Sequence, residues 1–190
     1  MKKLALLFVV AFIVGLVAAP AMAAGKSDKK KKKVGHLYLY EKVPSDVCCD
    51  PWDIVTDGAW GKMKYNKSGK TFDFVFNGHG LPADQNYELI YYPDKLGEQW
   101  PREDVQCLGD GGTTNGGGNI HIQGSENTGD LPNVDVGDID GLDWPAIDGA
   151  KIWLVLADDV NCDGEVFNNV WNPEDYLFEG EGIEFEDTDG

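Results

Sequence analysis

Alternation of apolar and polar residues constrains this chain more than any other feature of its sequence. In Thr71–Asn77 the rings of Phe72, Phe74 and Phe76 alternate with Asp73 and Val75, so one face of an extended segment is wholly aromatic. Trp60–Asn66 places Lys62 and Lys64 on one side and Met63 and Tyr65 on the other. Tyr87, Leu89 and Tyr91 alternate with Glu88, Ile90 and Tyr92. Val34–Val43, Asn119–Gln123, Tyr176–Glu179 and Ile183–Glu186 supply further extended segments. Ala150–Ala157 is apolar almost throughout, with Ile152, Leu154 and Leu156 opposite Trp153 and Val155, which predicts a strand buried on both faces. No stretch of 34–190 repeats its apolar residues at the helical period. Turn chemistry separates the segments at Asn66-Lys67-Ser68-Gly69, Asn77-Gly78, Pro93-Asp94 and the glycine run Gly109–Gly118. The expectation is an all-β fold: an antiparallel β-sandwich of Ig/fibronectin-III-like character with long Gly- and Asp-rich loops, among them Gly124–Gly149. Trp60, Trp153 and Trp171 read as core.

The amino terminus obeys different rules. Lys2 and Lys3 precede an uncharged apolar run, Leu4–Val17, and Ala21-Met22-Ala23 comes after it as a small-x-small site. These are the parts of a cleavable secretion signal, 1–23. Pro20 interrupts the run short of the roughly 20 apolar residues that span a bilayer. Residues 24–33 read as a solvated linker rich in lysine, with a second reading as an electrostatic tether to an anionic membrane or a cell-surface polymer. One acidic domain, 34–190, remains, and it is expected outside the cytoplasmic membrane, secreted or at the cell surface. Eight of the 16 basic residues lie before Val34 against one of the 33 acidic ones, so 34–190 carries a formal −24. A field of that sign argues against nucleic acid, which demands a basic stripe, and suits cations or a cationic partner.

Export also permits disulfides. Cys107 and Cys162 each sit beside an extended segment and are the expected pair, while Cys48 and Cys49 are adjacent and unassigned. Asp159-Val160-Asn161-Cys162-Asp163-Gly164-Glu165 fits the opening of a calcium loop, in which oxygens at alternate positions converge and glycine allows the turn. Asp159, Asn161, Asp163 and Glu165 are therefore the candidate metal ligands, although Val170 stands where such a loop ends on an acid; calcium there would stabilise the fold. Asp138–Asp143 is a second acidic run. His36, His79 and His121 read as turn and strand-face residues, not as a zinc or copper set. Trp52, Trp100 and Trp144, each beside a proline in a loop, are the candidates for ligand contact. No nucleophile elbow, zinc-protease helix, phosphate loop or dinucleotide fingerprint is present, so no catalytic residue is assigned.

Leu81-Pro82 followed by Tyr87-Glu88-Leu89 resembles the strand entry of fibronectin type III and related sandwiches, where a tyrosine hydroxyl bonds back to upstream backbone. A wider set of motifs covers most of 34–190: Gly58-Ala59-Trp60-Gly61, Phe76-Asn77-Gly78-His79-Gly80-Leu81, Asn119-Ile120-His121-Ile122, Gly149-Ala150-Lys151-Ile152-Trp153 and Trp171-Asn172-Pro173. This set resembles a group of exported, functionally uncharacterised archaeal and bacterial β-rich proteins. The resemblance implies export and a single β-rich domain and supplies no catalytic residues. The expected function is an exported non-enzymatic module for adhesion, ligand binding or envelope structure. The alternative is a secreted hydrolase acting on polysaccharide or peptide, which needs a concave pocket where a binding module shows a flat patch.

Overall fold

Most of the alternating segments form strands, but of Tyr176–Glu179 only Phe178–Glu179 does, and in Ile183–Glu186 the strand begins only at Glu186. The computed structural model describes residues 34–44, 52–92, 105–127, 151–168, 170–183 and 185–188. All of them belong to the second of the two units into which the chain divides, Lys32–Gly190. The expected secretion signal and lysine-rich linker, Cys48, Cys49, Trp100, Trp144 and Asp138–Asp143 lie outside the described residues. The strands are β1 (Val34–Tyr40), β2 (Lys42–Val43), β3 (Asp53–Ile54), β4 (Trp60–Asn66), β5 (Ser68–Gly69), β6 (Thr71–His79) and β7 (Asn86–Tyr92), then β8 (Gln106–Thr113), β9 (Ile120–Asn127), β10 (Lys151–Leu156), β11 (Val160–Asn161), β12 (Val166–Phe167), β13 (Phe178–Glu179) and β14 (Glu186–Asp187).

The fold is an antiparallel β-sandwich. A five-stranded sheet in the order β13-β1-β4-β6-β9 packs on a three-stranded sheet in the order β10-β7-β8, and every ladder in both is antiparallel. Inward residues of the larger sheet, among them Leu37, Met63, Phe72, Phe76 and Ile122, meet Tyr87, Leu89, Leu108, Ile152 and Leu154 of the smaller. Burial of each such side chain contributes about 1.5–3 kcal/mol relative to leaving it in water. Gly61 stands in that inner face because the Phe76 ring lies across it, where a Cβ would collide.

The three-stranded sheet is buried on its outer side as well. Ile90, Trp153 and Val155 form a second core with Val160, Phe167, Tyr176 and Phe178 from the chain's last quarter. The segment crosses back at Leu177, which bridges to Leu154 of β10, and continues into β13 on the edge of the larger sheet. The two-sided burial expected of Ala150–Ala157 is thus present in β10.

Four expectations need correction. Val34–Val43 is not one strand: it breaks at Glu41, whose carboxylate accepts the Ala59 N–H at 2.8 Å, and β2 turns away to pair with β3. The glycine run is not a turn from its start. Gly109 and Gly111 adopt φ of 75° and 62° inside β8, where the β7–β8 register shifts between Tyr87 and Leu89, and the turn begins only after Thr113. Its far side, β9, runs on to Asn127 and so takes in the first residues of the expected long loop. The fibronectin-type corner is not formed, because the Tyr87 hydroxyl is fully buried and makes no hydrogen bond. Thr114 fixes that corner instead. Its hydroxyl donates to the Pro82 carbonyl at 2.6 Å and accepts the Gln85 N–H at 2.9 Å. Burial, with the Asp175 carboxylate nearby, pushes the idle Tyr87 phenol up to about 12.

Candidate functional site

The outer face of the five-stranded sheet is the part of the molecule whose chemistry packing leaves unexplained. Registry across β1, β4, β6 and β9 sets its side chains in rows. Tyr40, Trp60 and His79 form one row; Tyr38, Lys62, Asn77 and His121 the next; His36, Lys64, Val75 and Gln123 the third. Trp60 is 41 % exposed and Tyr38 37 %, large values for aromatic side chains in regular strands. Trp60 therefore does not belong to the core, as its alternation with Gly61 and Met63 should have indicated.

Several contacts hold the face in order. The Trp60 ring packs on His79 with centroids 4.9 Å apart, and Lys62 Nζ lies 5.2 Å from the centroid of the Tyr38 ring. His79 Nδ1 is 2.7 Å from Asn119 Oδ1, and His121 Nδ1 is 2.9 Å from Asn77 Oδ1. With a carbonyl oxygen as partner, Nδ1 is the donor in both rings, which leaves each Nε2 without a role in that bond. Both histidines occupy neighbouring strands on one face, and no group of three metal-ligating side chains includes them among the described residues.

The expected calcium loop is a β-hairpin, β11–β12, with its turn at Cys162–Glu165. Asp159 points inward from the preceding 3-10 turn and is buried; its Oδ2 accepts the Tyr176 hydroxyl at 2.5 Å and Asn172 Nδ2 at 2.8 Å. Burial, and then that bond to Asp159, pushes the Tyr176 phenol well above its ordinary range. Asn161 Oδ1 accepts the Gly164 N–H at 3.0 Å, Asp163 is exposed, and Glu165 Oε1 accepts from Gln106 at 3.4 Å. The hairpin does not gather Asp159, Asp163 and Glu165: the triad of candidate ligand atoms among the described residues is Glu88, Cys107 and Cys162. In that triad the two cysteines are the expected disulfide, with Cα atoms 5.4 Å apart. Glu88 beside it is pushed up, first by burial and then by Asp110.

Trp52 is half-buried and packs edge-on against Phe178, centroids 4.8 Å apart, so it anchors its loop to the second core. Trp171, expected inside, is 36 % exposed at the rim of that cluster. Beneath lies Glu179, buried, which accepts the Trp153 indole N–H, while Lys42 donates to its main-chain carbonyl at 2.7 Å. Burial raises the Glu179 carboxyl against the pull of Lys151 and Lys42, and burial lowers Lys42.

One hollow of about 350 Å³ is lined by Glu41, Leu81, Glu174, Asp175 and Tyr176, among others. Burial first, then Glu174, Asp159 and Glu41, pushes the Asp175 carboxyl up. Among the described residues no helix is long and apolar enough to cross a membrane. No family model matches the chain, and no curated protein or solved structure matches it. The resemblance to exported β-rich proteins is therefore carried by the sequence motifs alone.

Proposed function

We propose that this chain is an exported, non-enzymatic β-sandwich module that holds a cell-surface or envelope polysaccharide on the outer face of its five-stranded sheet. The observation that carries the reading is the exposure of Trp60 and Tyr38 on a sheet face whose amides and imidazoles are already ordered. An aromatic ring offers apolar area with little entropy to lose, which suits the C–H face of a sugar ring. Asn77, Gln123 and the histidine Nε2 atoms suit its hydroxyls. The Cys107–Cys162 disulfide and the amino-terminal signal pattern support export.

The test is affinity electrophoresis and tryptophan-fluorescence titration against a panel of soluble polysaccharides, for the wild type and Trp60→Ala. At least one polysaccharide should bind, and the variant should bind it about tenfold more weakly, the scale of one stacked aromatic contact. Equal binding by both proteins, or binding by neither, removes the reading. The hydrolase reading has a single observation on its side, the raised Asp175 carboxyl beside Glu41 and Glu174 in a hollow, as a general acid requires. It calls for cleavage of a polysaccharide or peptide that Asp175→Asn abolishes.

A further inference from the structure

We infer that the polymer bound on this face is an acidic polysaccharide, a chain bearing uronate carboxylates or sulfate esters, with Lys62 and Lys64 as its charge contacts. The inference rests on the binding reading above and adds the sign of the ligand. Residues 34–190 carry four acidic groups for every basic one. The three rows from Tyr40 to Gln123 nevertheless hold no carboxylate at all. Asp73, in the row beyond, is the first acid on that side, and its Oδ1 accepts hydroxyls from Thr71 at 3.0 Å and Ser125 at 2.5 Å.

The described lysines divide in a parallel way, with Lys67 and Lys70 in the connection between β4 and β6, beyond the three rows. Lys42 is drawn to the main chain of Glu179 and Lys151 lies within the field of its carboxylate, both away from this face. Lys62 rests over Tyr38 and Lys64 projects into solvent. They stand two residues apart on β4, so about 7 Å separates them along the strand.

The domain's overall charge does not forbid such a ligand. Four strands at about 4.8 Å spacing make the face roughly 15 Å across, and fields of exposed charges decay over about 8 Å at physiological salt. A chain lying along β4 therefore responds to the two lysines more than to acids on the far side. A polyphosphate gains its affinity from many phosphate contacts, and two lysines supply few.

The experiment uses matched probes at physiological salt: dextran against dextran sulfate, and polygalacturonate against its methyl ester, with oligo-dT as a further arm. Wild type, Trp60→Ala and the double variant Lys62→Gln/Lys64→Gln are titrated, and near-ultraviolet circular dichroism checks their folding. An acidic probe should bind the wild type about tenfold more tightly than its neutral counterpart, the scale of two exposed charge contacts. The lysine double variant should lose that preference and keep any residual neutral binding, whereas Trp60→Ala should weaken both. Equal or tighter binding of the neutral probes overturns the inference and leaves the binding-face reading standing. Oligo-dT binding as tight as that of the acidic polysaccharides also overturns it. So does self-association in analytical ultracentrifugation that the lysine double variant abolishes, because the partner is then a second copy. Trp60→Ala binding like the wild type removes both readings together.

Discussion

On the five-stranded sheet the outward residues of β1, β4 and β6 alternate with the core and reach solvent, whereas on the three-stranded sheet Ile90, Trp153 and Val155 face outward and are buried. The difference comes from the chain beyond β10. The hairpin β11–β12, Trp171, Tyr176 and Phe178 give its outer side chains apolar partners. No described segment does the same for the larger sheet's aromatic face. An alternating strand and a wholly apolar one thus report different numbers of layers.

The sharpest way to break the comparison is to thin the covering layer. Phe167→Ala should cost about 4 kcal/mol in chemical denaturation, as expected for a fully buried ring, while Val75→Ala on the bare face should cost less than about 1 kcal/mol. Similar costs at the two sites would show the faces to be energetically alike. Replacing Cys107 and Cys162 by serine unties the cover from β8, and for cysteines 55 residues apart it should cost about 2–4 kcal/mol. Asp159→Ala should come next at about 2 kcal/mol, since it leaves the Tyr176 hydroxyl without its acceptor. Because Asp159 Oδ2 is already engaged by two donors, calcium should raise the melting temperature no more than magnesium at equal ionic strength. A calcium-specific rise lost in Asp163→Ala would show that the hairpin rearranges around an ion.

Acidity offers a smaller effect with a definite sign. Glu88, Asp175 and Glu179 have carboxyls raised in the folded state, so over the window between unfolded and folded values the native protein holds protons that the unfolded chain has released. Stability from these groups is therefore fully present below the ordinary carboxylate range and is lost as pH rises through their folded values. The melting temperature should climb as pH is lowered towards the ordinary carboxylate range, and Glu179→Gln should flatten that climb. The smallest expected effect is on the bare face itself: Trp60→Ala should change stability by no more than about 1 kcal/mol while it weakens ligand binding.

Strand positions were legible because burial on one or both faces writes directly into residue order, as Phe72, Phe74, Phe76 and β10 show. The disulfide was legible because Cys107 and Cys162 each sit beside an extended segment. What escaped depended on partners distant in sequence. His121 meets Asn77 only because β6 and β9 are neighbours, and Thr114 reaches Pro82 only because β8 returns past the start of β7. Asp159 carries the spacing of a ligand but points to Tyr176, since a turn's side-chain direction depends on the layer beneath it. Gly109 and Gly111 read as a turn because bulges and turns both draw on the glycine freedom for positive φ.

The bond from Lys42 Nζ to the Glu179 carbonyl spans 137 residues, and beside it β1 pairs with β13. A chain delivered from its amino end, by a ribosome or through a pore, presents β1, β4 and β6 as a meander that can zip locally. The β13 edge and the cover over Trp153 and Val155 must wait until the last quarter has emerged. In that interval the apolar outside of β7 and β10 faces whatever surrounds it, and such a species is prone to aggregate. Folding should therefore show an early phase from the meander and a late phase reported by Trp153, and variants that slow only the late phase should lower yield without lowering final stability.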